Sequence, residues 1–296
     1  MTVRVFILQC YTFVRQDNSM QKVIQFIIRV LGWLSPAIGG RFAYYIFFKP
    51  YRLKSHPLDL EKKKQGTQLD FTIAGKKTQA WFWGKGPVVI LIHGWSSKGF
   101  HYRKCIEPLV AKGFTVVVPD FPGHVNSEGE SANVLEFKET LEAIVKHFGE
   151  VYALVGHSLG AMAGILLLAE NKVQVKKMVV ANAAIYTESI INRFMEQIQG
   201  NDRIKAVLLK RLKAKFNMDF DYFSIIDRVK FITLKPEIFV IADKDDKEVD
   251  VEEAIVFSKA TNGELLITEG LGHNGGLKSD DVVRGIVNFL AKKNRT

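Results

Sequence analysis

The sequence predicts an α/β fold in which a mostly parallel, eight-stranded sheet is flanked by helices. Three observations carry that expectation. From Gln68 onward, short β-branched runs alternate with helix-period patterns, the signature of strand-helix-strand units. A turn of small residues around one serine, Gly156-His157-Ser158-Leu159-Gly160, sits directly between one such run and one such helix. Apolar residues make up 47% of the chain against 24% charged, a balance that fills a core and argues against disorder over 296 residues.

Taken in order, Gln68 to Ile73 and Thr78 to Trp83 flank Ala74-Gly75-Lys76-Lys77, which reads as a hairpin opening the sheet. Val88 to Ile92 is a buried strand, Cys105 to Lys112 a helix ended by Gly113, and Phe114 to Val118 the next strand. Leu135 to Phe148 has helix periodicity, Val151 to Val155 is a strand, and Leu159 to Ala169 is a helix rich in Ala and Leu. Met178 to Ala181, Ile238 to Ala242 and Glu264 to Thr268 complete the sheet, with helices over Val251 to Thr261 and Asp280 to Lys292. Residues 183–236 are too long for an ordinary connection and read as a helical lid. The expected division is an N-terminal apolar and amphipathic segment with its linker over 1–66, followed by the sheet-bearing domain over 67–296.

Two cysteines, Cys10 and Cys105, lie far apart without a CxxC pair, so neither a disulfide framework nor a thiolate metal site is indicated, and a reducing, cytoplasmic setting fits. The seven histidines show no HExxH or HxH spacing, so no metal is expected, and no cofactor is implied. The net charge of +10 is concentrated in Lys62 to Lys64, Arg203 to Lys215 and Lys292 to Arg295. No stacking aromatics are interleaved with these runs and no nucleic-acid-binding signature accompanies them, so nucleic acid is not an expected partner.

The first 48 residues are apolar yet interrupted by charge. Val5 to Leu8 lacks a following small-residue cleavage site, which argues against a secretory signal, and Met20 is a candidate start codon. From Gln21 to Leu34 the positions Lys22, Gln25 and Arg29 recur every three to four residues and lay a narrow polar stripe along a helix. Arg29 and Arg41 bracket only eleven residues, with Pro36 among them, far fewer than the roughly 20 needed to cross a bilayer. Two readings stand: residues 21–48 lie in a membrane interface, at the inner face, with Trp33, Tyr44 and Tyr45 at headgroup depth, or they pack on the main domain.

The chemistry concentrates at Ser158. A G-x-S-x-G pentapeptide between a buried strand and a helix makes so tight a turn that small residues must flank the serine, whose hydroxyl is lifted above the sheet edge as a nucleophile. His93-Gly94-Trp95-Ser96 follows the strand Val88 to Ile92. Pro119-Asp120-Phe121-Pro122-Gly123-His124-Val125-Asn126-Ser127 follows the fourth strand, Asp243 to Asp250 follows Ile238 to Ala242, and Gly270-Leu271-Gly272-His273-Asn274 follows the last strand. With these motifs the chain, over about residues 68–293, resembles the α/β-hydrolase superfamily, in its esterase, lipase and peptidase-like branch with a helical cap. The order of nucleophile, acid and base along the chain matches that family.

The resemblance implies a serine hydrolase with Ser158 as nucleophile, His273 as base and Asp246 as the acid that orients it, Asp245 being the alternative acid. It implies an oxyanion hole from the backbone N–H groups of Trp95 and Leu159. His93 is expected to brace its loop, and Asp120 and His124 to be structural. Val125 replaces a family glycine; because a valine resists positive φ, a different local turn is expected there. The carboxylates other than the acid are expected to form a solvated loop. The implied substrate is a small ester or acyl compound with an apolar acyl group, lined by lid residues such as Tyr186, Phe194, Phe220 and Phe223. Acyl transfer on the same triad, and a non-catalytic ligand-binding protein on the same fold, remain open.

Overall fold

The computed structural model describes residues 18–292. The run Val5 to Leu8, Cys10 and the end of the basic run at Arg295 lie outside the described residues. Two helices come first, α1 (Asn18–Leu34) and α2 (Pro36–Phe47), with Pro36 in the first turn of α2, where its missing N–H costs nothing. Helix α3 (Pro57–Lys64) follows. The sequence reading took its Lys62 to Lys64 only as a charge run. What makes it a helix is its start: the His56 ring accepts from the Leu58 N–H, and Asp59 reaches back to the His56 N–H at 2.9 Å.

The sheet comprises β1 (Thr67–Ile73), β2 (Lys76–Trp83), β3 (Val88–Ile92), β4 (Thr115–Asp120), β5 (Val151–His157), β6 (Lys177–Ala181), β7 (Glu237–Asp243) and β8 (Glu264–Thr268). Its order is β1-β2-β4-β3-β5-β6-β7-β8, antiparallel through β1, β2 and β4 and parallel from β4 to β8. All eight expected strands are present. The central ones are apolar on both faces because both are covered: along β3, Val88, Ile90 and Ile92 point into one core while Val89 and Leu91 point into the other. The first core is closed by α5 (Val134–Phe148), α6 (Leu159–Ala169) and α10 (Val251–Thr261). The second is closed by α4 (Arg103–Ala111) and α12 (Asp280–Ala291).

Between β6 and β7 the chain forms α7 (Thr187–Gln197), α8 (Asp202–Phe216) and the short α9 (Ile225–Arg228). Helices α7 and α8 share a third apolar core with α1 and α2: Ile24, Ile28, Ala43 and Ile46 meet Ile191, Met195, Ile204 and Leu208. The connection from α2 to β1 is tied to the sheet's loops. The Tyr51 N–H donates to Ser96 Oγ at 2.8 Å, Lys63 pairs with Asp120, and Asp59 accepts from Lys98.

Candidate active site

Ser158 sits where β5 becomes α6. Its backbone holds φ 53° and ψ −124°, a conformation costly for a residue with a Cβ, and its N–H is anchored on the Ala181 carbonyl at 2.9 Å. The flanking glycines are forced by contact. A Cβ on Gly156 would lie 2.4 Å from Ala161 Cα, and one on Gly160 would lie 2.5 Å from the His93 and Ile92 carbonyl oxygens. Leu159 opens α6, so its amide has no carbonyl in the preceding turn to bond.

The short α11 (Gly272–Gly275) carries His273. Its Nδ1–H donates to Asp246 Oδ2 at 2.8 Å. The same oxygen accepts from Asn182 Nδ2 at 2.8 Å, and Asp246 Oδ1 accepts from the Glu248 and Val249 amides at 2.7 and 3.1 Å. Burial would raise the Asp246 carboxyl. Hydrogen bonding and charge from His273, with Asn182 and the Glu248 amide, outweigh burial and hold its pKa below the usual carboxylate value. Asp245 Oδ2 instead accepts from the Gly270 N–H at 2.7 Å. The His157 ring holds the other side of the histidine loop, its Nε2 bonding the His273 carbonyl at 2.7 Å.

Asp243 departs from the expected solvated loop. It is buried and gathers the Thr268 hydroxyl (2.7 Å) and the Asp245, Leu271 and Gly272 amides (3.0, 3.1 and 2.9 Å). Burial pushes this carboxyl up, but these four donors outweigh it and leave its pKa lowered. Asp243 therefore staples the loop of Asp246 to the loop of His273.

His93 and His124 are fully buried. His93 Nδ1–H donates to the Gly94 carbonyl at 2.8 Å and Nε2 accepts from the Phe121 N–H at 3.3 Å; His124 Nδ1–H donates to the Pro122 carbonyl and Nε2 accepts from the Ser96 N–H at 3.1 Å. Both rings brace the loop that carries Trp95, and burial lowers both to about 3. Asp120 is also buried and holds the Gly99 N–H at 3.0 Å. The turn at Val125 is not avoided: Val125 takes φ 47°, its carbonyl held by Arg52 at 3.1 Å and its side chain buried, so tertiary contacts impose what a glycine would adopt freely.

Ser158, Leu159, Trp95 and His273 line one cavity of about 230 Å³. Phe194, Phe220 and Phe223 line it as well, together with Phe216 from α8. Tyr186 does not: it precedes α7 as its N-cap residue and points to solvent, because the cap position turns the chain outward before the helix packs. The sequence reading missed Phe47 and Phe48, which reach the cavity from the end of α2, and Glu248, whose Oε2 lies 3.7 Å from His273 Nε2. Nothing in the local pattern around Phe47 signals this, since only the packing of α2 on α8 brings it there. Among the described residues, no group of three or more His, Cys, Asp or Glu side chains is placed to hold a metal ion.

A family model described as the alpha/beta hydrolase fold matches residues 87–214. The magnesium-chelatase 30 kDa subunit of Rhodobacter capsulatus is 35% identical over 104 residues, covering 34% of this chain, which spans about a third (36%) of that protein's length. Putative esterase/lipase 2 of Mycoplasma pneumoniae is 21% identical over 220 residues, covering 62% of this chain and 81% of that protein. A solved structure of an esterase from Pyrococcus furiosus superimposes with a TM-score of 0.63 at 23% identity, covering 81% of this chain and 98% of that one. With its sheet order, the serine turn of β5 and α6 inside the matched segment, and that structural likeness, the chain has the alpha/beta hydrolase fold.

Proposed function

We propose that the protein hydrolyses carboxylic esters with an apolar acyl group through Ser158, His273 and Asp246. The observation that carries this reading is the paired His273 and Asp246, opening with the strained Ser158 onto one largely apolar cavity. Asp246 fixes the imidazole with its proton on Nδ1, which leaves Nε2 as the base. His273 takes the Ser158 proton as the oxygen attacks the ester carbonyl, and Asp246 stabilises the imidazolium. The Leu159 and Trp95 amides receive the developing oxyanion, in a pocket whose N-terminal helix end also favours negative charge. The imidazolium then protonates the departing alcohol, and water activated by His273 releases the acid from Ser158.

The insertion over 183–236 acts as a lid, α7 and α8 forming the cavity's apolar wall, so opening of these helices admits substrate. A panel of p-nitrophenyl esters of increasing acyl length tests the reading. Turnover is expected with wild type and a loss of at least about 10³-fold with Ser158→Ala or His273→Ala. Absence of turnover across the panel, or turnover that survives Ser158→Ala, refutes it.

A further inference from the structure

The outer face of α1 and α2 is apolar and uncovered. Phe26, Val30, Trp33 and Leu34 on α1 recur at helical spacing, and Ile38 and Tyr45 continue the face along α2; Trp33 is 84% exposed. The opposite side of the same helices is buried against α7 and α8, so the two readings of this segment divide between its two faces.

What such a face fits is set by charge. From Asn18 to His56 the chain carries six Lys and Arg residues and no Asp or Glu. Lys22, Arg29 and Arg41 are exposed beside the apolar stripe, and α8, packed on α2 through Gly40 and Val207, adds the exposed Arg203 and Lys210. Exposed aromatic and aliphatic side chains rimmed mainly by cations, with Asp202 at the start of α8 the carboxylate beside them, fit the headgroup region of an anionic bilayer, and an acidic protein partner is the outcome the test must separate from it. No described helix is long and apolar enough to cross a membrane, so the geometry is one of lying on the surface.

The face is also joined to the cavity. Helix α2 turns Ile38 and Tyr45 outward, and at its far end Phe47 and Phe48 wall the space that holds Ser158. We infer that the α1 and α2 face docks on an anionic lipid bilayer and that the cavity takes membrane-borne acyl esters from it. The second clause rests on the ester-hydrolase reading; the docking itself does not.

Sedimentation of the full chain with vesicles of phosphatidylcholine, alone or containing phosphatidylglycerol, tests the inference. The triple variant Trp33→Ser, Leu34→Ser, Ile38→Ser serves as comparison, and a water-soluble short-chain ester is assayed in parallel. The expected result is sedimentation with the anionic vesicles that weakens with salt and falls at least about tenfold in the triple variant, with soluble-ester turnover unchanged. Docking is overturned if wild type does not sediment, if the triple variant sediments equally, or if light scattering shows a dimer that the substitutions dissociate. Vesicle binding without turnover of any ester leaves docking standing and defeats the hydrolase reading.

Discussion

Asp243 places a buried negative charge where nothing in the reaction touches it. Its four hydrogen-bond donors come from the two loops that carry Asp246 and His273, which lie 2.8 Å apart, so under the proposed reaction it is a positioning residue. Asp243→Asn keeps the volume but replaces one acceptor oxygen with a donor that faces backbone N–H groups. We expect a stability loss of about 1 to 3 kcal/mol by thermal melting. A fall in kcat/KM should come chiefly through kcat, because the misplaced histidine is felt in the transition state. Unchanged melting and unchanged kcat would show that the staple is dispensable. The positions of Ser158 at a strand-to-helix turn and of His273 after the last strand were legible in the sequence because small residues and chain order mark them. Asp246 was separable from Asp245 only by family register, since two adjacent carboxylates look alike until one turns toward the imidazole. Asp243 was misread as solvated because its burial is decided by the loop that folds over it.

At the scale of elements, the turn from β5 to α6 is the most constrained joint in the site. Gly160→Ala sets a methyl against two backbone carbonyls of the strand that leads to the Trp95 loop, and neither can yield without shifting β3. The expected cost is about 3 kcal/mol or more, read as a large drop in melting temperature or loss of soluble protein. A variant that melts like wild type would mean the close approach is not real. The eight strands were legible because β-branched runs bounded by turns have few alternatives. Helix α3 was not, because its cap is a histidine, an uncommon residue there, followed by a lysine run that reads as solvent-exposed. The turn at Val125 was misjudged because local propensity yielded to Arg52 and a buried side chain.

Across the whole molecule, two buried histidines, His93 and His124, and the partly buried His101 couple stability to pH. His93 and His124 are lowered to about 3 by burial, and His101 to about 4 by burial and neighbouring cations. All three stay neutral in the folded chain at pH values where the unfolded chain takes up protons. Stability from this source is therefore full above about pH 6.5 and falls as pH drops toward about 4, by up to about 1.4 kcal/mol per pH unit for each ring. Urea denaturation between about pH 6.5 and 5.5, repeated with Asp120→Asn because burial raises that carboxyl, reads chiefly the histidines; a flat profile in both would contradict their burial as neutral rings. The N-terminal helices belong to this whole as well: α2 builds one wall of the cavity and α1 secures α2, a role visible only once the chain is folded.

If Ser158 is an activated nucleophile, a fluorophosphonate will modify it covalently, and peptide mapping of the labelled protein locates the modified serine. The expected result is covalent modification of Ser158 in wild type that disappears in Ser158→Ala and His273→Ala. A folded wild-type protein that stays unlabelled, or that is labelled at another serine, would contradict it.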